Sequence, residues 1–134
     1  MQQNLEQIRA GNALKTATAK APDAKVTKAS VSKLPAMILT NGLLAAVAFA
    51  TEEGKDSKPK RGAMSAAVQG LAGHLGDQRL HLPPLTGSKT SKELLDRLTG
   101  AKSLDLQRAT DEALAFLGYL KRFAPSGKDE GGES

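Results

Sequence analysis

The chain has 134 residues, 25% of them charged and 40% apolar, which suits one domain with one modest core. It has no cysteine, which excludes disulfide frameworks, thiolate metal sites and cysteine nucleophiles. Aromatics are only 3% and Trp is absent, so Leu, Ala, Val and Met must build the core, as in closely packed helices; the net charge of +5 admits nucleic acid, an acidic partner or plain solubility without choosing among them.

Leu5, Ile8 and Leu14, with Ala10, Ala13 and Ala17, form a thin apolar stripe at helical spacing, which predicts a first helix over 3–20. Pro22 breaks it, and Asp23 is a candidate N-cap for a short helix over 24–33. The run "LPAMILTNGLLAAVAFA" (34–50) has no charged residue. A membrane helix needs roughly 17–25 mostly apolar residues. This run contains Pro35, Thr40, Asn41, Gly42 and five alanines, so a buried helix over about 34–52 is the expectation. It is either separate or a continuation kinked at Pro35. A helix apolar on nearly every side needs partners all round it.

"EEGKDSKPKRG" (52–62) reads as a loop. Met64, Ala67, Val68, Leu71 and Leu75 then predict a helix from Ala63, ended by Pro83 and Pro84. Gly70, Gly73 and Gly76 weaken it by about 1 kcal/mol each relative to Ala and allow a close helix crossing. A phosphate-binding loop is excluded, because no strand precedes these glycines and no Lys-Ser/Thr follows. Thr90 and Glu93 have capping-box spacing before Leu94, Leu95 and Leu98. Ser103 is the expected cap of the clearest helix, 104–123. Its stripe is Leu106, Ala109, Ala113, Phe116, Leu117, Leu120 and Phe123; its other face carries Arg108, Asp111, Glu112, Lys121 and Arg122. The expected fold is all-α: one bundle of five or six helices over 1–125 around the central apolar helix, with a disordered acidic, Gly-rich tail over 126–134.

The sequence offers little chemistry. His74 and His81 are the only histidines. Seven residues separate them, about 10 Å along a helix, too far to share one ion unaided, so surface positions near a helix end are the expectation. No Gly-x-Ser-x-Gly is present, and Glu52–Glu53 and Asp111–Glu112 are adjacent pairs that diverge on a helix. No catalytic residue, metal site, cofactor or small-molecule substrate is expected. Absence of cysteine and of a visible targeting segment makes the cytoplasm the expected location. The cations are more suggestive. Lys15, Lys20, Lys25, Lys28 and Lys33 form one cluster and Lys55, Lys58, Lys60 and Arg61 a second, while Arg108, Lys121 and Arg122 mark the last helix. Clustered cations neutralise phosphates without reading sequence, though a solvated lysine face needs no ligand at all.

Two stretches carry a family resemblance. The run 34–50, through Leu34, Pro35, Asn41, Gly42 and Phe49, resembles a segment of the small-subunit family of type III-B (Cmr-type) CRISPR RNA-silencing complexes. "RATDEALAFLGYLKRFA" (108–124), through Arg108, Glu112, Tyr119, Lys121 and Arg122, is similar to the C-terminal helix of that family, with Tyr119 where a Trp is common. "LEQIRAGNAL" is similar to its opening helix, less specifically. The resemblance implies a non-catalytic helical subunit. Copies of it would stack beside the crRNA-bearing RAMP backbone subunits, lining the channel for target RNA. The alternative is a helical protein–protein adaptor that does not touch nucleic acid. Asn41, polar in an apolar run, is expected to hydrogen-bond backbone at a helix crossing. Glu112 can pair with Arg108 at i, i+4.

Overall fold

The computed structural model of the chain describes residues 4–19, 26–56 and 59–125, the side chains of 52–63 excepted. Six α-helices follow one another among these residues, with a 3-10 turn, Gln78–Leu80, after the fourth. The expected acidic tail lies outside the described residues, as does Asp23.

Local polar chemistry sets most helix starts. Asn4 accepts from the Gln7 amide at 2.8 Å while the Gln7 side chain accepts from the Asn4 amide at 2.9 Å. This reciprocal cap starts α1, Leu5–Ala17. Thr27 and Ser30 make the same arrangement at α2, Lys28–Asn41. Thr90 and Glu93 make it at α5, Ser91–Thr99, as their spacing predicts. α6, Ser103–Phe123, differs: Ser103 is its first helical residue, and Lys102 precedes it without a side-chain cap.

The apolar run is two helices rather than one. α2 continues through Pro35, whose missing N–H leaves only the Val31 carbonyl without its helical donor. The break comes at Gly42, at φ 96° and ψ 157°, backbone that a residue with a Cβ rarely adopts. α3, Leu43–Asp56, then leaves in a new direction, its first turn closed by the Ala46 amide on the Gly42 carbonyl at 3.1 Å. The run buries Leu34, Ile38, Leu43, Ala46, Val47 and Ala50, but Leu39 is 73% and Phe49 42% exposed. Asn41 is exposed too, so it is no internal partner at a crossing.

The expected loop over 52–62 is also mostly helix. α3 extends to Asp56 and α4 begins at Pro59, whose fixed φ suits a first helical position, and runs to Leu75. α4 stops there, well before Pro83, as the chain turns at Gly76. The glycines divide by role. A Cβ at Gly70 would overlap the Thr16 side chain, and one at Gly76 would overlap the Ser88 backbone, while at Gly73 it would meet nothing. Gly70 therefore seats α1 on α4, and Gly76 seats the 81–90 loop.

Leu71, Leu75, Leu94, Phe116, Leu117 and Leu120 join the α2–α3 residues in one core filled out by alanines. Each fully buried Leu or Phe contributes about 1.5–3 kcal/mol. α1 adds only Ile8, Ala13 and Ala17; Leu5 and Leu14 of its expected stripe are 43% and 50% exposed. Phe123 of the α6 stripe is 38% exposed. Among the described residues no helix is long and apolar enough to cross a membrane.

Candidate functional site

The most polar part of the interior lies where α1, α4 and α6 meet. Glu112, on α6, is 8% exposed and so faces inward rather than onto the outer surface. Its partner is not Arg108. Arg9 of α1 donates from Nε to Glu112 Oε2 at 2.8 Å and from Nη2 to Oε1 at 2.7 Å, a two-pronged ion pair. His74 of α4 approaches the same Oε2 with Nε2 at 2.8 Å. His74 is 1% exposed, so it is no surface histidine, and its ring stacks on Phe116 at 4.5 Å between centroids.

The network continues outward. The Asn12 amide nitrogen lies 2.9 Å from His74 Nδ1 and donates to Asp77 Oδ2 at 3.0 Å. Asp77 in turn holds Arg79, with Nη2 to Oδ2 at 2.7 Å, and caps the Arg79 amide at 2.9 Å. One proton arrangement satisfies every centre: Asn12 donates to Nδ1 and to Asp77, and His74 carries its proton on Nε2 for Glu112. Burial alone would push the Glu112 carboxyl up; hydrogen bonds from Arg9 and His74, helped by the Arg9 charge, outweigh it and hold it at about 2. The Arg79 hydrogen bond, aided by Asn12, likewise holds Asp77 well below the ordinary carboxylate range, against the effect of burial. Carboxylates so committed are poor proton shuttles. Their effect is to lock α1 onto α4 and α6. No group of three or more His, Cys, Asp or Glu among the described residues can hold a metal ion.

The cations of the sequence fare differently. Lys20 and Lys25 lie outside the described residues, as do the side chains of Lys60 and Arg61. Lys15 and Lys33 are exposed on α1 and α2. Lys28 is half-buried, and its ammonium donates to the Lys121 carbonyl at 2.7 Å and the Arg122 carbonyl at 3.2 Å. Its own amide donates to the Pro125 carbonyl at 3.1 Å. The start of α2 is thereby pinned to the end of α6, and Lys28, Lys121 and Arg122 share one end of the bundle. Cations there also complement the negative end of the α6 dipole. Arg108 is exposed but thirteen residues up the helix from Lys121, about 20 Å away.

The family-motif residues take contrasting places. Leu34 is buried, Pro35 is half-buried inside α2 and Gly42 forms the corner. Tyr119 is half-buried, its hydroxyl donating to Glu6 Oε2 at 2.9 Å. Arg9, Asn12 and Asp77, all part of the polar seam, carry no sequence signal of their own. Glu112 and His74 do: with Ala109, Ala113 and Phe116, and with Leu71 and Leu75, they keep the register of the buried faces.

Fold and centre together define a small helical-bundle protein whose buried charges tie helices to one another. The family can be named: residues 5–126 match the family model of the CRISPR-associated protein Cas_Cmr5, and the chain belongs to that family, the small subunit of type III-B CRISPR complexes. No curated protein and no solved structure matches the chain.

Proposed function

We propose that the chain is a non-catalytic structural subunit of a crRNA-guided type III-B complex in the cytoplasm. Copies of it would stack with one another beside the RAMP backbone subunits and contact the target-RNA backbone without reading its sequence. Sequence would be read by pairing with the guide, as in other RNA-guided systems. Family membership supports the place in the complex. The observation that carries the RNA contact is the basic end of the bundle, where the α2–α6 junction gathers Lys28, Lys121 and Arg122, with exposed Lys33 five residues, about 7.5 Å, further along α2. Such a cluster neutralises phosphates and releases counterions.

The test is binding of a fluorescently labelled single-stranded oligouridylate to the isolated chain across a salt series. Weak binding that falls steeply with salt is expected. Reversing charge at Lys33, Lys121 and Arg122 together should abolish it and leave the helical circular dichroism intact. Undiminished binding by that variant removes this surface from the reading. The adaptor alternative draws support from the exposed Leu39 and Leu104, 73% and 57% accessible, which suit protein neighbours. It predicts assembly into the complex without any RNA affinity of the chain.

A further inference from the structure

The chain has four aromatic side chains, three Phe and one Tyr. Phe116 is buried in the core and Phe49 lies on α3. The other two, Tyr119 and Phe123, are one helical turn apart at the end of α6, with ring centroids 6.3 Å apart and planes tilted by 34°. Neither is fully buried: Tyr119 is half-covered and Phe123 is 38% exposed. Between them in sequence stand Lys121 and Arg122, both exposed.

Beside Tyr119 the surface is hollowed. An open depression of about 460 Å³ is lined by Glu6, Ala115, Gly118, Tyr119 and Arg122. Its floor is low because Ala115 and Gly118 are small, and nothing lies within 4 Å of where a Cβ on Gly118 would stand. The Tyr119 ring is also held in place, by its hydroxyl on Glu6 across the α1–α6 junction. A ring already fixed loses little freedom when a ligand covers it.

A flat apolar face, an open floor and adjacent cations are what a single-stranded nucleic acid needs: a surface for the base and charges for the phosphate. An acidic peptide would use the cations but not the ring, and the Glu6 carboxylate would repel it. A nucleobase is neutral, so Glu6 does not oppose it, and the phosphate falls on the Arg122 side, Arg122 lining the same depression. We propose that Tyr119 and Phe123, with Arg122 alongside, form a stacking seat for bases of single-stranded RNA. The inference rests on the RNA-contact reading above and adds to it a component that is not electrostatic and tolerates any base.

The sequence supplies its own reporter, since Tyr119 is the only tyrosine and there is no tryptophan. The full chain is titrated with unlabelled oligouridylate while tyrosine emission is followed, free tyrosinamide correcting for absorption. Binding is followed separately by anisotropy of the labelled oligonucleotide. Quenching that saturates with the anisotropy is expected. Phe123→Leu should weaken binding about tenfold without changing its salt slope, while Arg122→Gln should reduce that slope by about one. Tyr119→Phe, which keeps the ring but loses its tether to Glu6, should lower the affinity only slightly, and Tyr119→Leu should lose it; if Tyr119→Leu loses its helical signal, the exposed Phe123 decides. Binding with unquenched tyrosine and unchanged affinity in Phe123→Leu overturns the seat but leaves backbone contact standing. No anisotropy change even at low salt overturns both.

Discussion

Two sides of this bundle are held by opposite means. The seam of α1 with α4 and α6 is polar: Arg9 and Asn12 reach Glu112, His74 and Asp77, and Ile8 is the one large apolar side chain that α1 buries. The α2–α3 corner is apolar, with Leu34, Ile38, Leu43 and Val47 buried and its direction set by Gly42. Burial at the corner is non-directional and tolerates small shifts. The seam depends on partners being present, because a buried charge left alone costs far more than one that is paired. The two sides should therefore fail in different ways.

The largest expected effect is at the seam. Glu112→Ala leaves the Arg9 guanidinium and the buried His74 without their acceptor, and should lower the unfolding free energy by about 3–5 kcal/mol in urea denaturation. Glu112→Gln keeps the shape but presents an amide NH₂ to groups that themselves donate, so it should recover little. Conversely, replacing Arg9, His74 and Glu112 together by apolar residues of similar size should cost far less than Glu112→Ala. A triple variant as weak as the single one would break the contrast between seam and corner.

Acid comes next, and it acts on one side only. The Glu112 carboxyl is depressed in the folded chain from its ordinary 4.5 to about 2. A depressed carboxyl contributes stability that is present above the unfolded value and lost as pH falls through the folded one. About 3 kcal/mol should therefore disappear between pH 4.5 and 2, with Asp77 adding to the loss at the acid end. Urea midpoints over this range should fall for the parent chain and fall less for Glu112→Gln. Equal slopes for both would place the acid sensitivity elsewhere.

Glu112 also shows how far the sequence could be read. Charge on an amphipathic helix is ordinarily solvent-facing, and on that rule Glu112 belonged outside with Arg108. Its partners are 103 and 38 residues away, on other helices, so no local rule could supply them. The signal was its register, shared with Ala109, Ala113 and Phe116, where a charge must be paired. Pro35 left two readings open, a new helix or a continuation; the helix continues through it, because the Thr27–Ser30 cap had already started the helix. What was legible was local or periodic: the Thr90–Glu93 box, the course of α6, the helical class. The candidate RNA surface was legible only as a set of cations; that Lys28 meets the end of α6 depends on tertiary packing.

At the corner the expected effect is smaller and insensitive to pH. Gly42→Ala forces a Cβ into backbone at φ 96° and ψ 157°, worth about 1–3 kcal/mol. No atom lies within 4 Å of that Cβ, so the cost is conformational and not a clash. Thermal melts at pH 7 and pH 4 should show the same decrement. A decrement that grows with acidity would mean that the corner and the seam are coupled.

The smallest effect separates structure from binding at the basic end. Lys28 and Lys33 sit on the same helix, yet of the two side chains only that of Lys28 has hydrogen-bond partners among the described residues, its ammonium on two carbonyls at the end of α6. Those carbonyls belong to the last turn, which has no further amides to bond. Lys28→Met keeps much of the aliphatic stem and removes the donor, and should cost about 0.5–1 kcal/mol, less than the roughly 1.5–3 kcal/mol of a bond to a charged group because the site is exposed and water partly replaces the donor. Lys33→Met should stay within about 0.5 kcal/mol of the parent, as an exposed surface position does. In RNA binding the order should reverse. The exposed Lys33 can turn to a phosphate, while Lys28 can do so only by releasing the α6 carbonyls, so Lys33→Met should lose more of the salt dependence than Lys28→Met. If Lys28→Met leaves stability untouched, its bonds to α6 are not a cap; if it also flattens the salt slope more, Lys28 is a phosphate ligand and the basic end is a binding surface throughout.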